Sequence, residues 1–278
     1  MTSTVVACCQ LRPALGELAA NRALSAAAIS QAAKQGASVV VLPELMSSGY
    51  AFDNQAEAAA YAESVSGKTV SLWARLAARH KIVIVGGFCE TANGAIFNSS
   101  VLVDRNGVRA VYQKAHLWDN ERKWFAAGEA QPPVVQTDVG RIGMMICYDL
   151  EFPEWVRILA LQNTQLLCAP VNWPDCSRPI GERPAEVVRV QADAAVNRMF
   201  IAACDRTGTE RGLAWVGGSI IVNADGWPLA NAFQETGPIS TNIYATCRLD
   251  EAINKTTGLS NNVHTDRRPE LYSKLSNR

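Results

Sequence analysis

Histidine is scarce in this chain. Its 278 residues hold three, His80, His116 and His264, set far apart. None of them has metal-ligand spacing, so no zinc site is expected. CxxC pairs are missing too, although cysteine occurs eight times, at 8, 9, 89, 147, 168, 176, 204 and 247. Most of these lie inside apolar strand-like runs, which argues against a disulfide framework and for reduced thiols in a cytoplasmic protein. Neither charge is in excess, with 26 basic and 26 acidic residues. A nucleic-acid footprint or a polybasic membrane patch is therefore not expected. No apolar run approaches the ~20 residues of a membrane span. The start, MTSTVVACCQL, has no basic region followed by a long apolar one, so no signal peptide is expected. Repeats, low-complexity segments and internal linkers are also missing.

What is present is an apolar chain, 48% hydrophobic, with strands and helices in alternation. Strands are expected at 4–10, 38–42, 82–89 and 165–169, and helices at 18–35 and 68–80. Hairpin signals follow at Asp104-Arg105-Asn106-Gly107 and Asn223-Ala224-Asp225-Gly226. A helix over 182–198 leads into a strand at 199–204, strands at 215–222 and 227–230 flank the second hairpin, and a strand over 240–249 closes the sheet. The stretch 117–128 reads as a loop or short helix. This order predicts one α/β domain with mixed sheets. Helices covering one face of each sheet leave the other faces to pack together, as a four-layer αββα sandwich.

The most informative stretch is Gly140 to Pro153, GRIGMMICYDLEFP. Ile142 to Ile146 is a buried strand, and Pro153 suits the first turn of a helix. Cys147 thus stands at a strand-to-helix elbow, where a side chain projects into a crevice at the carboxyl end of a sheet. Nearby backbone N–H groups would lower its pKa and hold an oxyanion. The ordinary alternative is a buried structural thiol.

A cysteine nucleophile commonly recruits a histidine, and His116 is the only one near a strand end. Charged residues at strand ends are the better candidates. Glu44 follows the run VVVLP, and Lys114 closes 108–113. Each has an ordinary reading, a satisfied cap for one and a snorkelling side chain for the other. Together with Cys147 they complement one another: Glu44 accepts the thiol proton, Cys147 attacks, and Lys114 holds the developing negative charge.

At these residues the sequence resembles the nitrilase superfamily of carbon–nitrogen hydrolases, through LPELMSSGY around Glu44, YQKAHLW around Lys114 and MMICYDLEFPE around Cys147. The similarity runs from Val5 to about Leu249, with further matches at NSSVLV from Asn98, GGSII from Gly217 and RPELY from Arg268. It implies the αββα sandwich, a Glu44–Lys114–Cys147 triad and a second glutamate at Glu121. One departure is Val196-Asn197, where the family often has Glu-Asn.

The resemblance implies cleavage of an amide, an N-carbamoyl amine or a nitrile through a thioester, without cofactor or metal. A small carboxylic acid amide is the expected substrate, partly because nitrilases of the family tend to be longer. The Tyr148 N–H joins Lys114 around the oxyanion, while Asn172, Trp173 and Trp118 line the pocket, with Trp215 as a further candidate. An acidic N-carbamoyl substrate would need an arginine, for which Arg178 and Arg183 are the candidates. A non-catalytic binding protein is the alternative of another class. Family members resembling this one pair through outer helices, so a homodimer or larger even oligomer is expected. Phe152, Trp155 and Ile158 are candidate anchors, and the polar tail 254–278 is expected to lie across a partner.

Overall fold

A computed structural model describes residues 3–233 and 239–275. The first half forms β1 (Thr4–Gln10), α1 (Leu18–Lys34), β2 (Val39–Val41), α2 (Gln55–Ala60), α3 (Lys68–His80), β3 (Val83–Ala92), β4 (Ala95–Asp104) and β5 (Gly107–Gln113). The second half begins with α4 (Glu121–Trp124), β6 (Val134–Thr137), β7 (Gly140–Met144), α5 (Pro153–Leu161), β8 (Leu166–Pro170), α6 (Ala185–Asn197) and β9 (Phe200–Cys204). It ends with β10 (Thr209–Glu210), β11 (Leu213–Ala214), β12 (Ile220–Val222), β13 (Pro228–Asn231) and β14 (Thr241–Cys247).

Two six-stranded mixed sheets result, in the orders β14-β1-β2-β3-β4-β5 and β13-β12-β9-β8-β7-β6. Each has three parallel strands at its centre and antiparallel strands at both edges. The period-2 alternation of strands decides the layering. Val6, Cys8, Val39, Val41, Val83 and Val85 share a core with the second sheet. Their neighbours Ala7, Cys9, Val40, Leu42 and Ile84 pack instead with Ile29 and Ala32 of α1 and Trp73 and Ala77 of α3. Val156 and Leu159 of α5, with Val187 and Val190 of α6, are buried on the second sheet. The architecture is the expected αββα sandwich. No helix among the described residues is long and apolar enough to cross a membrane.

Several boundaries differ from the sequence reading, each for a local reason. The sixth helix starts at Ala185 rather than 182, because the residue before Pro184 is disfavoured in α geometry. Residues 215–219 do not join the sheet; Val216 N–H donates to the Trp173 carbonyl at 2.9 Å instead. The first half of the tail is anchored on its own chain. Lys255 Nζ donates to the Arg198 carbonyl at 2.7 Å, and Arg157 Nη1 to the Val263 carbonyl at 3.3 Å. This part lies on α5 and α6 of its own chain, with the ammonium at the C-terminal end of α6, where a cation is favoured. Leu271, Tyr272 and Leu275 further along are exposed, and residues 276–278 of the expected contact lie outside the described ones.

Candidate active site

Glu44, Lys114 and Cys147 come from three strand ends, and close backbone approaches fix the first two. A Cβ on Gly87 would lie 2.5 Å from the Glu44 Cα, so β3 passes beneath the Glu44 turn only because residue 87 is glycine. Lys114 is held from both sides, its N–H on the Asn98 carbonyl and its own carbonyl on the Gly128 N–H, each at 2.9 Å. Cys147 has φ +46°, a left-handed value uncommon for a non-glycine residue, and opens a 3-10 turn over Cys147–Glu151.

Asp149 holds that elbow. Its Oδ2 accepts the Ile146 N–H at 3.1 Å and the Tyr112 hydroxyl at 2.9 Å. Its Oδ1 accepts the His116 N–H at 3.2 Å and lies 2.7 Å from His116 Nδ1. The His116 ring stacks on Phe152 at 3.9 Å between centroids. His116 is therefore tied to the elbow's framework rather than set against the thiol as a base.

Lys114 Nζ lies 2.8 Å from Glu44 Oε1 and 2.8 Å from Glu121 Oε1, with all three side chains buried. Asn98 Nδ2 donates to the same Glu44 oxygen at 2.6 Å, and the Tyr50 hydroxyl to Glu121 Oε1 at 2.7 Å. Glu121 Oε2 accepts the Trp118 N–H at 3.1 Å. Glu44 Oε2 is buried and has no hydrogen-bond partner among the described residues, leaving one carboxylate oxygen free to take a proton. Asn172 links the two sides of the site: its Nδ2 donates to the Glu44 carbonyl at 3.0 Å, and its own carbonyl accepts the Cys147 thiol at 3.7 Å.

Burial pushes Glu44 up to about 7, against the pull of Lys114 and with a further push from Glu121. Burial opposes the charge on Lys114, yet Glu121 and Glu44 outweigh it and hold its pKa well above the usual lysine range. The thiol differs from the sequence expectation. Burial and then Glu44 raise Cys147 well above the usual cysteine range, and Lys114 only partly offsets them. These shifts favour a neutral thiol at Cys147 beside a carboxyl whose pKa is pushed up to about 7.

Cys147 opens into a cavity of about 90 Å³ lined by Trp118, Tyr148, Asn172, Trp173 and Pro174, with Glu151, Cys176 and Glu186. The backbone N–H of Tyr148 stands at the start of the turn and makes no backbone hydrogen bond among the described residues. Trp215 does not line this cavity. It is wholly buried, 5.1 Å from Tyr50 and with Arg206 over its ring. Arg178 and Arg183 do not line it either: Arg178 pairs with Asp175 at 2.8 Å, and Arg183 bonds Gln191. Val196 is exposed, and its neighbour Asn197 caps its own helix through Asp193.

Sequence reasoning missed Tyr50, Asn98 and Asp149. All three lie inside the quoted motifs, so position was available, but only the fold reveals whom they touch.

Residues 5–253 match the family model described as carbon-nitrogen hydrolase, and the chain belongs to that family. It is 31% identical to a protein named nitrilase from Pyrococcus abyssi, over 96% of this chain and 98% of that one. It is 34% identical to an (R)-stereoselective amidase of Pseudomonas sp., over 70% and 68% of the two chains. An amidase from Nesterenkonia sp. superposes with a TM-score of 0.79 at 26% identity, covering 98% and 96% of the two chains. One structure of that amidase shows the acetamide moiety of fluoroacetamide added covalently at its active-site cysteine. The relative named nitrilase matches nearly end to end, so chain length does not set this chain apart from it. The chain is a hydrolase acting on carbon–nitrogen bonds.

Proposed function

We propose that the protein hydrolyses small carboxylic acid amides to carboxylate and ammonia through a thioester on Cys147. The observation carrying this is the buried Lys114, 2.8 Å from both Glu44 and Glu121 beside the thiol. Taking a charge out of water costs several kcal/mol per ion, so a two-carboxylate, one-lysine cluster walled in next to a cysteine is expensive to keep without a use. Glu44 takes the Sγ proton as sulfur bonds to the amide carbon, and the oxyanion forms against Lys114 and the Tyr148 N–H. Glu44 returns the proton to nitrogen, the carbon–nitrogen bond breaks, and ammonia leaves. Water deprotonated by Glu44 then attacks the thioester; the thiolate departs and regains its proton. Glu121 keeps Lys114 in place at the carbonyl.

A neutral thiol suits this order, because proton transfer accompanies attack rather than preceding it. The narrow cavity supports a short acyl group. The adduct on the Nesterenkonia amidase's cysteine supports the same covalent route. An acidic N-carbamoyl substrate is disfavoured, since neither Arg178 nor Arg183 reaches the cavity. Assembly through α5 and α6 as a homodimer or larger even oligomer belongs to the same proposal; sedimentation showing a fully active monomer at assay concentration contradicts it. An ammonia-release screen over short amides, carbamoyl amino acids and nitriles tests the substrate class. Amides are expected to be turned over fastest, and release from nitriles or carbamoyl compounds alone would overturn the choice.

A further inference from the structure

The cavity in front of Cys147 carries a charge of its own. Glu151 and Glu186 line it together with the rings of Trp118, Tyr148 and Trp173, and no lysine, arginine or histidine lines it among the described residues. Glu151 faces Arg189 at 2.8 Å, so most of its charge is matched. Glu186 is half-buried in the first turn of α6 and has neither a hydrogen-bond nor an ion-pair partner among the described residues. An acid in a first helical turn complements the helix dipole. That accounts for a carboxylate on this turn, but not for its facing an aromatic-walled pocket that ends on a thiol.

We propose that this pocket selects amides whose far end carries an ammonium group, with Glu186 as the specificity-determining residue. The inference rests on the amide-hydrolase reading and names its substrate class. Aromatic faces attract a cation, more so once it is desolvated. An unmatched carboxylate at the edge of the same cavity supplies the counter-charge in a reduced dielectric. A substrate ending in a carboxylate meets the opposite situation: it loses water, finds no donor among the charged lining residues, and is repelled. Glu151, already tied to Arg189, contributes less.

Three amides of matched length test this: δ-aminovaleramide, hexanamide and the monoamide of adipic acid, which end in ammonium, methyl and carboxylate. The expected order of kcat/KM follows that sequence, with the ammonium compound about tenfold ahead of the methyl one and the difference mostly in KM. The ratio should fall only in part as salt rises, because a partly buried pair is screened much less than an exposed one. Glu186→Gln should collapse it, and Glu186→Lys should favour the carboxylate compound. Hexanamide matching or beating δ-aminovaleramide in the unmodified enzyme overturns the proposal, as does a preference left intact by Glu186→Gln. If none of the three is hydrolysed, the amide reading fails for this class. Protection of Cys147 from iodoacetamide then decides the pocket's preference: stronger protection by δ-aminovaleramide upholds it, and equal protection by all three refutes it.

Discussion

The hydroxyl of Tyr50 donates at 2.7 Å to the same Glu121 oxygen that receives Lys114 Nζ at 2.8 Å. Tyr50 is itself pinned from the other half of the chain. Its N–H and that of Ala51 both donate to Glu210 Oε2 at 2.7 Å. Glu210 pairs with the buried Arg206 at 3.0 Å, and the guanidinium lies 5.0 Å from the centre of the Trp215 ring. Burial, then Glu121 and Glu44, raise the Tyr50 pKa well above its usual value, so Tyr50 remains a donor. An ion pair outside the cavity thus positions the group that holds Glu121, which in turn steadies Lys114.

Tyr50→Phe should therefore lower kcat about 10- to 100-fold, the worth of a hydrogen bond to a charged group at roughly 1.5–3 kcal/mol. Alkylation of Cys147 by iodoacetamide should persist, because the thiol itself is untouched. Steady-state kinetics beside an alkylation time course checks both halves. Unchanged kcat would remove Tyr50 from the account.

Glu121→Gln should cut turnover more severely than Tyr50→Phe, since Lys114 then keeps one carboxylate instead of two. Circular dichroism should show the fold retained and mass spectrometry should show Cys147 still alkylated. Unfolding together with loss of thiol reactivity would make Glu121 a structural residue only.

The pH profile follows from Glu44. Burial sets its pKa near 7, and only its ionised form accepts the thiol proton, so kcat/KM should rise with pH through an acid limb near 7. The same shift has the opposite sign for stability. Glu44 and Asp205, both pushed up to about 7 by burial, bind their protons more tightly folded than unfolded. Their contribution is complete below the ordinary carboxylate range and is lost as pH rises through about 7. Activity should gain over the interval in which thermal stability declines, which paired rate and melting measurements would check.

His116→Gln should reduce turnover by loosening the Cys147 elbow, yet leave the acid limb where it was, because His116 serves Asp149 and takes no proton from the thiol. Asp149→Ala should cost about 3 kcal/mol or more in denaturant unfolding, as it strips a buried carboxylate from four donors. Disappearance of the acid limb in His116→Gln would reinstate the histidine as the base.

Strand-end chemistry was the legible part of this sequence. Apolar runs that stop at Glu44, Lys114 and Cys147 mark the candidate site because strands pack side by side and their ends converge. The continuous apolar runs at 4–10 and 38–42 also foreshadow strands buried on both faces, between the sheets and under the helices. Contacts that join distant segments were not legible. Nothing local in Tyr50 points to Glu121, and Arg206 and Glu210 lie in a stretch with little periodicity, where Thr209–Glu210 and Leu213–Ala214 form a ribbon too short to show a pattern. The thiol's pKa was misread because elbow N–H groups were weighed while the burial of the whole site, which exists only once both sheets close, was not.

Intact-protein mass spectrometry of acid-quenched enzyme during amide turnover reads covalent catalysis at Cys147 without an intermediary. A mass increase equal to the substrate's acyl group less one hydrogen is expected, mapped by peptide digestion to Cys147 and absent from an inactive Cys147→Ala variant. Steady turnover by Cys147→Ala, or an acyl group carried on another residue in the active enzyme, would contradict it.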